Sequence, residues 1–313
     1  MGELIFITGS SGFIGSATAL EALKSGYRLR LCLRRPCKKL EDLLSEYSQQ
    51  VEYVIVSDLT NEAEFAGQLE GADYVIHMIT AVFREAANVS SVKKVVVTSS
   101  LASLLPLGRF PGGIVKEDNN WNLEVDEAAD FTVAENPTAT ALNLYHASKL
   151  LANKATWKFR KDQRPHYSIV VLHPGFTFGH NYMQTNAEEI RLTSNEGFWQ
   201  TIMSSTQATS LNCVHIQDVA EAHVKALSPK IPDGSSYLLA PNKVTWKEVA
   251  EIVHQAYPDL HTRIAADMKG NPFLPCVLTD CSRAEADLKM KWRSMDQMVR
   301  DLMDQQLAFQ HHN

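Results

Sequence analysis

Residues 4–15 read L-I-F-I-T-G-S-S-G-F-I-G, and the fold is decided there. Leu4 to Ile7 is an apolar run of strand length, ended by Thr8-Gly9. A helix-forming segment follows, with Ile14, Thr18 and Leu20 to Ala22 on its apolar side. A strand, a glycine-rich turn and a helix N-terminus aim several free backbone N–H groups at one place, which makes an anion site. In such a loop Gly9 permits the tight turn and Gly12 lets a pyrophosphate approach the backbone. Gly15 lets the helix pack close to the strand. The spacing is G-x-x-G-x-x-G, which also fits an ordinary strand–helix turn. Its place straight after a first strand points to dinucleotide binding.

Working outward, strand and helix signals alternate as in a parallel sheet covered on both faces, a Rossmann-type doubly wound α/β fold. Strands are expected at 28–33, 51–56, 74–77, 94–98 and 168–173. Residues 28–33 end in Arg34-Arg35-Pro36-Cys37-Lys38-Lys39, with no acid among them. An acid at this place accepts the ribose hydroxyls of NAD, whereas cations suit the 2′-phosphate of NADP. A solvated basic loop is the plain alternative; with the glycine motif upstream, NADP(H) is the expected cofactor. Asp58 either meets the adenine or caps a helix starting near Thr60. Past Gly179 the alternation breaks down over 180–210. A strand at 213–216, helices at 218–227, 245–257 and 294–309, and a strand at 237–239 follow. Residues 1–179 therefore read as the NADP-binding domain, with 212–228 returning to it, and 180–313 as mostly a smaller substrate-binding part.

The 313 residues suffice for a full core; 45% are hydrophobic and 21% charged, and the net charge is −6. That balance argues against nucleic acid or an anionic membrane as partner. The first strand begins near residue 3, so no signal peptide is expected. No apolar run approaches the ~20 residues of a membrane span. Five cysteines without C-x-x-C spacing fit reduced thiols in the cytoplasm, and no metal motif is present among the histidines.

The chemistry is expected between the fifth and sixth strands. Thr98-Ser99-Ser100 puts hydroxyls at a strand's C-terminal end, where ligands of parallel sheets bind. Asn136-Pro137 starts a helix that carries Tyr145-His146-Ala147-Ser148-Lys149. Tyr145 and Lys149 share a face. Phenols ionise near ~10, and a neighbouring ammonium favours phenolate. A lysine so placed also holds ribose hydroxyls, and Ser100 hydrogen-bonds a carbonyl oxygen as hydride arrives. Ser103 is the weaker candidate for that part. Phe176, Phe178, Phe198 and Trp199 are placed where a pocket for a small-molecule carbonyl compound is expected.

Taken together, T-G-S-S-G-F-I-G (8–15), Arg34 with Lys38, S-D-L (57–59), G-A-D-Y-V-I-H (71–77), V-K-K-V-V-V-T-S-S (92–100), Y-H-A-S-K (145–149) and V-H-I-Q-D-V-A-E-A-H (214–223) resemble one family. They are similar to extended short-chain dehydrogenases/reductases of the NAD(P)-dependent epimerase/dehydratase type, in the branch of dihydroflavonol, cinnamoyl-CoA and fungal aldehyde/ketone reductases. The resemblance implies Ser100, Tyr145 and Lys149 as catalytic trio. It implies Gly9, Ser11, Gly12, Phe13, Ile14, Gly15, Arg34, Lys38, Asp58, Leu59, Tyr145, Lys149, Gly175 and Ser194 as cofactor contacts. The expected activity is NADPH-dependent reduction of an aldehyde or ketone with Tyr145 as proton donor. A nucleotide-sugar epimerase or dehydratase expects an acid ending strand two; a non-catalytic dinucleotide-binding regulator does not need the tyrosine and lysine.

One segment departs from the family. Residues 78–93 lack about two dozen residues of its usual loop and helix, while a parallel crossover needs only ~10–12. The sheet is expected to survive with a helix of two or three turns. Weak NADPH binding, a monomer or weak homodimer, and feeble or absent catalysis are the expected costs.

Overall fold

The apolar runs become the middle of a parallel sheet because strands covered on both faces must be apolar throughout. In the computed structural model, residues 2–77, 82–108, 110–204, 211–241, 245–264 and 276–311 are described. The chain runs β1 (Leu4–Thr8), α1 (Phe13–Lys24), β2 (Arg28–Leu33), α2 (Lys38–Leu43), β3 (Val51–Ile55), β4 (Tyr74–His77), α3 (Val82–Asn88) and β5 (Lys94–Thr98). It continues through β6 (Ile114–Val115), α4 (Pro137–Gln163), β7 (Ser168–Pro174), β8 (Phe176–Phe178), α5 (Asn195–Ser204), β9 (Cys213–His215) and α6 (Ile216–Ala226). Last come β10 (Ser236–Leu239), α7 (Trp246–Ala256), β11 (Leu278–Thr279), α8 (Ser282–Asp287) and α9 (Met295–His311).

Seven strands join in the order β10-β7-β5-β4-β1-β2-β3, all pairs parallel. The chain reverses direction of growth between β1 and β4, so ligands are expected beyond the C-terminal ends of those strands. Every residue of β1 and β5 is buried. The β3 edge is half bare, with Ile55 50% exposed. At the opposite edge Leu238 N donates to Glu117 Oε1 at 2.7 Å, and a carboxylate there blocks addition of another strand. Ala19 and Ala22 of α1 share a core with Ala222 and Ala226 of α6. A second core of Phe198, Trp246, Val249 and Met298 joins α5, α7 and α9.

Two local expectations change. Asp58 caps no helix: its Oδ1 accepts Thr60 N at 2.9 Å. The chain turns only at Glu62–Phe65, a 3-10 turn capped by Asn61. The strand at 213–216 stops at His215, whose ring accepts Gln217 N and opens α6 at Ile216, two residues earlier than expected. Of the shortened segment, α3 is two turns long, with Val82, Phe83 and Ala86 buried. Tyr167 Oη, on the approach to β7, donates to Phe83 O at 2.6 Å. Residues 78–81 lie outside the described residues.

Candidate active site

The glycine loop is built as its spacing requires. Gly9 stands at φ +73°, a left-handed conformation costly for other residues, and Gly12 N donates to its carbonyl at 3.0 Å. A Cβ on Gly15 would lie 2.1 Å from Gly9 O, so no side chain fits. Gly12 caps α1 without a side-chain hydrogen bond, and the first turn carries no acid. The amides of that turn are left for an anion, and the residues fit a dinucleotide pyrophosphate.

This loop forms one wall of a cavity of about 970 Å³. Gly9, Gly12, Phe13, Ile14 and Gly15 line it, and so do Ser100, Tyr145, Lys149, Gly175 and Ser194. Ser100 follows β5 and starts the 3-10 turn Leu101–Leu104, its Oγ accepting Ala102 N at 3.2 Å. α4 starts at the asparagine cap, Asn136 Oδ1 accepting Ala139 N at 3.0 Å. From α4, Tyr145 Oη donates to Ser100 Oγ at 3.2 Å. Both acceptor positions of Ser100 Oγ are therefore engaged, which leaves its own proton to donate toward the cavity. Lys149 lies one turn on, with Nζ 5.6 Å from the Tyr145 ring centre. Burial lowers the Lys149 ammonium from the usual lysine range, the direction low-polarity surroundings impose on a cation. Tyr145 remains 48% exposed, open to a partner in the cavity.

Ser103 has another use. It is fully buried, and its Oγ donates to Ser100 O at 2.7 Å and meets His173 Nδ1 at 2.8 Å. Ser11, Arg34, Lys38, Asp58 and Leu59 do not line the cavity. Arg34 is exposed at the end of β2 and, among the described residues, makes no ion pair, so it is free to meet a phosphate. Lys38 instead pairs with Asp42 one turn along α2. Hydrogen bonds from Thr60 hold the Asp58 carboxyl below the usual carboxylate range, and Leu59 packs on the sheet's second face. Ser194 Oγ donates to Thr177 O. Gly175 is required by contact, since a Cβ there would lie 2.3 Å from Asn212 O.

The aromatic quartet divides. Phe176 lines the cavity, but Phe178, Phe198 and Trp199 are buried in the second core; apolar content alone does not tell a pocket wall from a core. Sequence reasoning missed His146 and Asn143 of α4 and Phe110, all on the cavity wall. It also missed His173 behind it. The S-x-x-S spacing of Ser100 and Ser103 was the available signal for the buried part, because a 3-10 turn brings residues three apart together.

Residues 5–105 match the family described as NAD dependent epimerase/dehydratase. The chain is 51% identical to the ketoreductase sphI of Aspergillus fumigatus, over 98% of each protein. Their match runs over 330 positions against a chain of 313 residues, so this chain is gapped opposite that relative. Aldehyde reductase 2 of Sporidiobolus salmonicolor is 25% identical, over 98% of this chain and 97% of its own length. The structure of Gre2 from Candida albicans in complex with NADPH superposes with a TM-score of 0.78 at 22% identity, covering 98% and 99% of the two chains. At that identity the likeness speaks for the fold.

Proposed function

The chain belongs to the NAD dependent epimerase/dehydratase family, and from that premise we propose that it is an NADPH-dependent reductase of a ketone or aldehyde, acting on an apolar small molecule. The observation that carries this reading is the Tyr145 hydroxyl 3.2 Å from Ser100 Oγ, with the Lys149 ammonium beside the ring. A carbonyl oxygen in the cavity accepts a hydrogen bond from Ser100, then the proton of Tyr145 as negative charge develops on it. Lys149 stabilises the phenolate left behind and is within the same cavity to hold ribose hydroxyls. Bound NADPH supplies the hydride. Leu105, Phe110, Leu142, Phe176 and Val277 offer the substrate an apolar wall.

In this reading Gly9, Ser11, Gly12, Phe13, Ile14 and Gly15 hold the pyrophosphate, and Arg34 the 2′-phosphate. Lys38 joins Arg34 only by leaving Asp42. Asp58 and Leu59 lie toward the adenine, Gly175 and Ser194 toward the nicotinamide. Residues 1–179 with α6 and β10 form the cofactor half, and the rest of 180–313 serves the substrate. Among the described residues no helix is long and apolar enough to cross a membrane, and Cys32, Cys37, Cys276 and Cys281 are free thiols. Both suit a cytoplasmic enzyme.

The test is loss of absorbance at 340 nm on mixing NADPH with a panel of alkyl and aryl ketones, alongside fluorescence titrations of NADPH and NADH. Turnover is expected with NADPH bound at least ~10-fold tighter than NADH, since a charge-assisted phosphate contact contributes roughly 1.5–3 kcal/mol. No turnover across the panel, or equal affinities, would remove the basis for the reading.

A further inference from the structure

We propose that His173 and Ser103 are positioning residues of the reaction: they hold the backbone of Ser100 so that its hydroxyl faces the substrate carbonyl. This rests on the reductase reading above. His173, on β7, is fully buried and is not on the cavity wall. Its Nε2 lies 2.7 Å from Ser236 Oγ on β10. Its Nδ1 lies 2.8 Å from Ser103 Oγ and 3.3 Å from Ser100 O.

Proton counting fixes the direction of these bonds. Ser103 has one hydroxyl proton, and it goes to Ser100 O at 2.7 Å. With that proton spent, Ser103 Oγ accepts from its other two neighbours, Ser99 Oγ at 2.9 Å and the ring nitrogen, so His173 carries its proton on Nδ1 and accepts from Ser236 at Nε2. Burial keeps this imidazole neutral, with its pKa pushed down to about 4, and only the neutral ring can donate at one nitrogen and accept at the other.

The result is a hydrogen-bonded chain across three neighbouring strands, from Ser236 on β10 through His173 on β7 to the turn that follows β5. It ends on the carbonyl of the residue whose hydroxyl meets Tyr145. With that carbonyl turned inward, Ser100 keeps an extended backbone, φ −159° and ψ 152°, and its side chain stays on the cavity side. The far end of the same turn is held from the other direction, where His146 Nε2 donates to Leu105 O at 2.9 Å. The turn is thus tied to β7 at one end and to α4 at the other. Ser100 Oγ caps the turn through Ala102 N, and Ser103 N also donates to Ser100 O at 2.9 Å; the ties to β7 and α4 set where that capped turn stands relative to Tyr145. Small misplacements of a reacting group are costly, up to ~10²-fold for about 1 Å.

A double-mutant cycle separates positioning from plain stabilisation. Ser100→Ala, Ser103→Ala and His173→Asn are made singly, and the latter two are also combined with Ser100→Ala. Measured quantities are kcat, ketone KM, NADPH Kd by fluorescence, and Tm. Ser100→Ala is expected to lower kcat ~10²-fold. Ser103→Ala and His173→Asn each lower it ~10-fold, with NADPH Kd within about twofold of the parent. In the Ser100→Ala background neither lowers kcat further by more than about twofold, since the group they orient is gone. Ser103→Ala removes a single atom and carries the test if the histidine variant does not fold. Parent-like kcat in Ser103→Ala, or equal losses with and without Ser100, would overturn the proposal. An unaffected Ser100→Ala would overturn it together with the role given to Ser100 in the reductase reading, a distinguishable result.

Discussion

Two helical crossovers leave adjacent strands of the same sheet, and they are opposites. Between β4 and β5 the chain uses only α3, seven residues with three of them buried. Between β5 and β7 it uses α4, 27 residues of which only Ala139, Ala147, Leu150 and Thr156 are buried. The short helix is anchored through Phe83, which is buried, takes a hydrogen bond from Tyr167 and packs on Phe159 of α4 at 5.2 Å. That contact covers the C-terminal end of α4. Further up, Ala141, Leu144 and Ser148 are exposed, Leu144 by 52%. Closing a parallel connection and covering a long neighbouring helix are separate tasks. The first needs few residues, and the register of β4 on β5 is intact; the second needs a helix long enough to lie alongside.

The sharpest way to break this contrast is to remove the chemistry from the long helix. Tyr145→Phe should lower kcat ~10²–10⁴-fold while NADPH affinity stays close to that of the parent. A variant retaining most of its rate in stopped-flow assays would move the proton donor off α4 altogether.

Acid tests whether both connections are equally dry. His77, at the start of the short one, is pushed down to about 3 by burial, and His173 and His223 to about 4. Each is neutral in the fold and titrates near ~6.5 when unfolded. As pH falls below ~6.5 the unfolded chain takes up protons that the folded chain refuses. Stability is therefore full above that pH and is lost progressively toward about 4, by roughly 1.4 kcal/mol per pH unit for each histidine. Urea midpoints measured from pH 7.5 to 5.5 should show the fall, and His77→Leu should make the slope shallower, burial also lowering His146 and His180. A flat profile would mean that water reaches these rings.

The smallest effect is expected on the bare face of α4. Leu144→Glu should change stability by less than ~0.5 kcal/mol, and light scattering during size-exclusion chromatography should report a monomer or a weakly associating dimer. A stable parent dimer with micromolar or tighter NADPH affinity, broken by Leu144→Glu, would show that a second copy covers α4 and that the shortened crossover is harmless.

What could be read from sequence follows the range of the forces involved. β1 and β5 are legible because each is an apolar run closed by turn residues, and α4 because Asn136-Pro137 states its start. Gly9, Gly12, Gly15, Ser100, Tyr145 and Lys149 are legible as motif and spacing. The pairing of β8 with β9 and the reciprocal bonds of Asn212 with the Val277 backbone, both 2.7 Å, are not. They are short elements held by distant partners, with no local period to announce them. The withdrawal of Phe178, Phe198 and Trp199 into a core belongs to the same class; the Lys38–Asp42 pair, at i,i+4 on α2, is local by contrast. The chain locates the residue, and only the fold decides what it faces.

The sheet order has a consequence for synthesis. β7 pairs on one side with β5, already made, and on the other with β10, whose first residue, Ser236, lies far downstream of Pro174. On a ribosome adding ~5–20 residues per second, that edge waits several seconds for its partner. Through the wait it presents Ile169, Val170, Val171 and Leu172, all destined for burial, as an unpaired apolar template. The nascent chain is most in need of a chaperone during that interval, before β10 emerges and Glu117 can close the finished edge.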